Sequence, residues 1–93
     1  MQTFLLSGAY TREALKEISV ERTQQAVTLI KKLGGTVQAM YVALGDSDLM
    51  LIVALPNISE AIKASVELNK MTGIAFKTSP LIAVEEFDKL MTE

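Results

Sequence analysis

The side chains that could do chemistry in this chain are tyrosine, aspartate, glutamate, arginine and lysine, because its 93 residues include no histidine and no cysteine. Ser-His-Asp and Cys-His catalysis, histidine-ligated haem and the ordinary zinc and copper sites each need one of the missing residue types. The sequence therefore excludes those classes of enzyme and metalloprotein. It predicts no metal, no cofactor and no catalytic residue.

Tyr10, Arg12 and Lys16 lie where the first predicted strand leads into the first predicted helix. A helix N-terminus attracts anions, and a cation beside it could hold a carboxylate or a phosphate. An ordinary solvated turn with a partly buried tyrosine is the commoner arrangement and is favoured. The three residues are kept as candidates for binding a small ligand.

Arg22 and Tyr41 are two further candidates for ligand binding. Arg22 lies at a weak point of the first helix, where it could bind a ligand or a partner subunit, although a local partner such as Glu17, Glu21 or the carbonyl of Ile18 is favoured. Tyr41 lies on the second predicted strand. Its hydroxyl could point into a pocket, or its ring could fill the core or an interface with the hydroxyl at the rim.

Asp46 and Asp48 form a D-x-D pattern in a predicted turn at 45–48. Hard cations need several converging oxygen ligands, and the neighbouring sequence supplies no others. Glycine, aspartate and serine are also the residues that turns prefer. The pattern therefore predicts a hairpin turn in which Asp48 either anchors its strand end through backbone hydrogen bonds or contributes to a ligand site.

The spacing of apolar residues predicts the elements that hold these side chains. Strands are expected at 3–7, 36–44, 49–55 and 74–79, with the last one ended by Pro80. Helical spacing begins after Thr11 and weakens near Ser19, which predicts one kinked helix or two helices before Gly34. Asn57, with Glu60 three residues later, predicts a helix to about Thr72.

The last predicted element is a short amphipathic helix. Its apolar positions are Val84, Phe87, Leu90 and Met91. Its acidic residues Glu85, Glu86 and Asp88 are typical of a solvated helix face.

The order β-α-β-β-α-β, followed by this helix, predicts a single α+β domain over residues 1–93. Two right-handed crossovers place both main helices on one face of a four-stranded antiparallel sheet, which is the ferredoxin-like fold. The segment 49–55 is apolar on both sides of its strand, and 49% of all residues are hydrophobic. The uncovered sheet face is therefore expected to pack against a second copy, with an apolar cavity as the lesser alternative.

Charge and hydropathy argue against two kinds of partner, nucleic acids and membranes. The net charge is −2 and no basic stripe is present, so we expect no nucleic-acid binding. The strands also lack the stacking aromatic residues of an RRM sheet. The longest apolar run is far too short to span a membrane, and no signal-peptide pattern is present. The chain is expected to be cytoplasmic.

The chain resembles the GYD-domain family, small bacterial and archaeal proteins grouped with the dimeric α+β barrels, from about residue 3 to residue 87. The family signature is Gly-Tyr-Asp at the hairpin, and here Ser47 stands where the tyrosine is expected. Val20 likewise stands where proline is common. The resemblance is carried by Tyr10, Thr11, Lys16, Arg22, Leu33, Gly34, Gly35, Tyr41, Leu44, Gly45, Asp48, Pro56, Asn57, Gly73 and Thr78. It implies a homodimer of barrel type and leaves the activity unassigned.

These observations favour a non-enzymatic homo-oligomeric domain of unknown function. It would bind a small hydrophobic or anionic ligand between sheet and helices, or act as an interaction module. The alternative is a small metal-free enzyme of the oxygenase or isomerase type acting on a hydrophobic substrate, which rests on fold analogy. That alternative needs an apolar cavity of about 300 Å³ or more. A regulatory module of the ACT type is also left open.

Overall fold

The computed structural model describes residues 1–92. The elements in chain order are β1 (Gln2–Gly8), α1 (Arg12–Lys16), α2 (Val20–Lys32), β2 (Thr36–Val42), β3 (Leu49–Leu55), α3 (Ile58–Thr72), β4 (Phe76–Leu81) and α4 (Val84–Thr92). The four strands form one antiparallel sheet in the order β2-β3-β1-β4. This topology confirms the ferredoxin-like α+β fold, with α4 added at the end.

Side-chain caps explain where the helices begin. Thr11 Oγ1 accepts a hydrogen bond from the Ala14 N–H at 2.9 Å, and Ser19 Oγ accepts one from the Arg22 N–H at 3.0 Å. Each cap satisfies a backbone donor that the first turn leaves unpaired. The second cap starts a new helix, so the weak point of the apolar pattern separates α1 from α2.

α3 has a defined signal at each end. A third side-chain cap starts it, and a left-handed glycine ends it. Asn57 Oδ1 accepts a hydrogen bond from the Glu60 N–H at 2.9 Å, as the capping pattern predicted. Gly73 follows α3 with φ of 78°, a left-handed conformation that costs glycine little.

One face of the sheet forms the core with α2 and α3, and we call it the helix face. Phe4, Leu6, Leu51, Val53 and Leu55 are almost completely buried on that face. The helices contribute the buried residues Ala26, Ile30, Ala61, Ala64 and Leu68. The small alanine side chains let the helices approach the strands closely, because they leave little volume between the two layers.

The opposite side of the sheet, called the open face here, has an apolar centre and a more polar border. Strand pairing places Leu5 beside Ile52 and Met50 beside Tyr41 on this side. Tyr41 is 62% exposed, whereas Leu5, Met50 and Ile52 are half-buried by their neighbours. The complete set is Thr3, Leu5, Ser7, Thr36, Ala39, Tyr41, Met50, Ile52, Ala54, Lys77, Ser79 and Leu81. The apolar surplus expected from the sequence therefore lies on β1, β2 and β3, while β4 presents mainly polar residues.

Strand boundaries differ from the sequence prediction in three strands: β1 is one residue longer at each end, and β4 begins at Phe76 instead of residue 74. β4 runs from Phe76 to Leu81, so Pro80 does not end it. Pro80 is tolerated because β4 is an edge strand, where a missing N–H breaks no essential ladder bond. β2 ends at Val42 instead of residue 44, because the turn begins earlier.

α4 stands apart from the rest of the molecule. None of its side chains is buried. Val84, Phe87, Leu90 and Met91 are between 50% and 72% exposed. Within residues 1–92, no helix has both the length and the apolar character needed to cross a membrane.

Candidate functional site

A cavity of about 230 Å³ lies between the helix face of the sheet and α2. Its walls are mainly apolar, because strand and helix residues of the core border it. The wall residues are Ala26, Met40, Leu49, Leu51, Leu68 and Phe76. Tyr10, Ser19, Arg22 and Thr23 are the polar residues on the side where β1 leads into α1, and Tyr41 and Thr72 border the cavity elsewhere. The arrangement suits a small apolar molecule that carries one polar or anionic group.

Asp48 holds this end of the molecule together without lining the cavity. Its Oδ2 accepts a hydrogen bond from the Tyr10 N–H and its Oδ1 accepts one from the Gly45 N–H, both at 2.9 Å. Its backbone N–H donates to the Gly8 carbonyl at 2.9 Å. The predicted anchoring of a strand end by Asp48 is confirmed. The anchor fixes the backbone of Tyr10 at the cavity.

Arg22 borders the cavity and links α1 to α2. Its Nη1 donates to the Ala14 carbonyl at 3.0 Å. A local partner was predicted for Arg22, and it is the Ala14 carbonyl instead of Glu17, Glu21 or the Ile18 carbonyl. That carbonyl also accepts from the Glu17 N–H at 3.2 Å at the end of α1. A guanidinium has five N–H donors. The side-chain hydrogen bonds found within residues 1–92 use one of them, so the others can face a ligand.

The six candidate residues divide into three groups. Tyr10, Arg22 and Tyr41 line the cavity, with Tyr41 at its rim because its position in β2 belongs to the open face. Asp48 supports the site from behind. Arg12 and Lys16 are exposed and do not line the cavity. The basic residues of α1 therefore do not share the cavity with Arg22.

Thr72 is a cavity-lining residue that sequence analysis missed. It is 9% exposed, and its Oγ1 donates to the Leu68 carbonyl at 2.7 Å and accepts from the Ile74 N–H at 3.1 Å. Its place just before Gly73 indicated a helix end and gave no sign of a cavity. The apolar wall residues were missed for a similar reason, since the same residue types fill an ordinary core.

No acidic metal site accompanies the cavity. Within residues 1–92, no three Asp or Glu side chains are grouped so that they could hold a metal ion. The 45–48 segment forms the connection between β2 and β3, and Asp48 uses both carboxylate oxygens on backbone N–H groups.

A family model described as GYD domain matches residues 4–91 of the chain. No curated protein and no solved structure matches it. The matched range includes every cavity-lining residue and nearly all of the open face.

Proposed function

The chain belongs to the GYD-domain family, and from its geometry we propose that it is a homodimeric, non-catalytic domain that binds a small, mainly apolar ligand carrying one anionic or polar group. The observation that carries this proposal is the apolar cavity of about 230 Å³ with Arg22 and Tyr10 at its polar end. The ligand would enter between α2 and the sheet.

The cavity volume limits the size of the ligand. An apolar protein cavity of about 150 Å³ holds benzene, so 230 Å³ suits a molecule of about nine non-hydrogen atoms. An apolar ring would contact Leu51 and Leu68. A carboxylate would lie near Arg22, whose unused N–H donors match its two oxygens.

Binding is favoured over catalysis by the chemistry of the lining. Among the described residues that border the cavity there is no carboxylate, which leaves tyrosine hydroxyls and one guanidinium as its ionisable groups. Proton transfer needs a group whose pKa lies near the operating pH. Asp48, the nearest acidic candidate, already accepts two backbone hydrogen bonds.

Homodimer formation is supported by the open face. Its central residues Leu5, Met50 and Ile52 are apolar, and within residues 1–92 no helix packs over them. Apolar side chains at the centre of a sheet favour burial against another apolar surface. The same face on a second copy is such a surface, and it provides the symmetry of a twofold interface.

The native-mass spectrum of protein taken directly from cells tests assembly and ligand together. We expect a species of twice 10.1 kDa, carrying the added mass of a small retained molecule. Replacing Ile52 with aspartate should convert it to single chains, because the charge would be buried in the interface. Wild-type protein that is monomeric at micromolar concentration would contradict the dimer.

Titration with benzoate tests the cavity. We expect Ala26→Leu to weaken benzoate binding at least about tenfold, because Ala26 is a buried wall residue and a leucine would fill the space. Ala75→Leu is the matched control, since Ala75 is exposed and borders another part of the surface. Equal benzoate affinity in the two variants would show that the probe binds elsewhere.

Comparing benzoate with benzyl alcohol tests the polar end. We expect wild-type protein to bind benzoate more tightly than benzyl alcohol. Arg22→Gln should lower the ratio of the two affinities about tenfold, because the charged hydrogen bond is lost. An unchanged preference would mean that Arg22 has only its link to Ala14.

A further inference from the structure

α1 is weakly attached to the rest of the molecule. It has five residues, whereas an isolated helix needs roughly twelve or more to be even marginally stable in water. Its larger side chains are exposed, and these are Arg12, Glu13, Leu15 and Lys16, while Ala14 is buried. A single buried methyl group removes little apolar surface from water. Tertiary packing therefore stabilises α1 only slightly.

A single hydrogen bond found within residues 1–92 reaches α1 from another element. It is the bond from Arg22 Nη1 to the Ala14 carbonyl, at 3.0 Å. The other hydrogen bonds of α1 join residues of the segment 11–17 to one another, so they form and break with the helix itself. Arg22 is therefore the polar link that holds α1 beside α2.

The segment that carries α1 is fixed at both ends, and both ends border the cavity. At one end Asp48 accepts a hydrogen bond from the Tyr10 N–H at 2.9 Å, and at the other end Ser19 caps α2. Tyr10, Ile18 and Ser19 line the cavity, whereas α1 itself does not. Ile18 is 55% exposed, which places it at the mouth of the cavity. Residues 11–17 can therefore open and close beside that mouth while the chain on either side stays in place.

Arg22 connects α1 with the ligand site. Its guanidinium borders the cavity, and it has N–H donors besides the one that bonds Ala14. A carboxylate bound to those donors would hold the guanidinium in one position, because a bidentate pair fixes its geometry. A guanidinium that is already fixed loses less conformational entropy when it donates to the Ala14 carbonyl. Ligand binding and the closed position of α1 therefore favour each other, by the same factor in both directions.

We propose that α1 is a lid beside the mouth of the cavity, that Arg22 is its latch, and that an anionic ligand stabilises the closed position. This inference rests on the ligand site proposed above and adds a regulation of that site. The bond between Arg22 and the Ala14 carbonyl identifies the closed position. In the open position that bond is broken and residues 11–17 leave their helical conformation.

Hydrogen exchange of the full-length chain, measured by mass spectrometry and corrected for the intrinsic rate of each amide, tests the lid. Without ligand, the amides of residues 14–17 should exchange at least about a hundredfold faster than those in the middle of α3, because the lid opens while the core stays folded. Arg22→Gln should speed exchange at 14–17 at least about fivefold, because the latch is lost. Benzoate at ten times its dissociation constant should slow it at least about threefold in wild type, within the limit of about elevenfold set by mass action. In Arg22→Gln, benzoate at ten times that variant's dissociation constant should leave the rate unchanged.

Arg12→Gln is the matched control, because it removes the same charge from an exposed residue that does not line the cavity. We expect it to keep exchange at 14–17 within about twofold of wild type and to keep the effect of benzoate. Equal exchange in α1 and α3 would overturn the lid, and so would wild-type exchange rates in Arg22→Gln. Benzoate that binds in a titration without slowing exchange at 14–17 would overturn the coupling and leave the ligand site intact. Absence of benzoate binding would overturn both.

Discussion

At the scale of single residues, Asp48 determines how the cavity end is built. Its side chain accepts from Tyr10 and Gly45, and its backbone pairs with Gly8 and Ala43. Asp48 therefore ties the end of β1 to the connection between β2 and β3. Such a position is sensitive to substitution, because removing the carboxylate takes the charged acceptor from two backbone N–H groups.

Replacing Asp48 with alanine should lower the free energy of unfolding by about 1–2 kcal/mol, because two backbone donors lose a charged acceptor. Urea denaturation followed by circular dichroism measures this. Asp46→Ala is the control: Asp46 is exposed, no side-chain hydrogen bond to it is found within residues 1–92, and its removal should change stability by less than about 0.5 kcal/mol. Similar losses in both variants would mean that the turn, and not the anchor, determines stability.

Part of the site could be predicted from residue types alone. Tyr10 and Arg22 were identified because they lie near predicted helix starts, where backbone N–H groups attract anions and a cation could help to hold one. The partner of Arg22 was not, because a long guanidinium can reach any free carbonyl within several ångströms, and the sequence does not specify which one. The apolar wall of the cavity has the same residue types as a filled core, so its volume had to come from the packed structure.

At the scale of elements, caps and left-handed glycines set the boundaries, and these signals were readable in the sequence. Ser19 predicted a possible second helix start, and Asn57 predicted the start of α3. The error at Pro80 has a different origin. Whether proline ends a strand depends on whether that strand lies at the sheet edge, which is a property of the completed topology.

Gly73→Ala should destabilise the protein by about 1–2 kcal/mol, because alanine must adopt the left-handed conformation of φ 78° at the end of α3. Gly45→Ala provides the comparison. An added Cβ has open space at both positions, but the φ of Gly45 is not positive, so we expect its change to be neutral or slightly stabilising. Thermal unfolding of the two variants gives the difference, and equal midpoints would contradict the backbone explanation.

At the scale of the whole molecule, the sheet has two faces, and α2 and α3 cover only one of them. The helices bury the helix face, and the open face and α4 keep apolar groups in contact with water. The sequence revealed this surplus through β3, where residues on both sides of the strand are apolar. Alternation along 74–79 already placed Lys77 and Ser79 on the side opposite Phe76 and Thr78, and the paired sheet shows that this side is the open face.

If folding and dimerisation are coupled, thermal stability must depend on protein concentration. A tenfold increase, from about 5 to about 50 μM, should raise the unfolding midpoint by about 3–4 °C, because mass action adds about 1.4 kcal/mol per dimer. Differential scanning calorimetry measures the shift. Ile52→Asp should unfold at a midpoint that is lower and independent of concentration, since its open face can no longer pair. A wild-type midpoint that stays constant across this range would mean that each chain folds alone, and the apolar centre of the sheet would then be stable in water without a second copy.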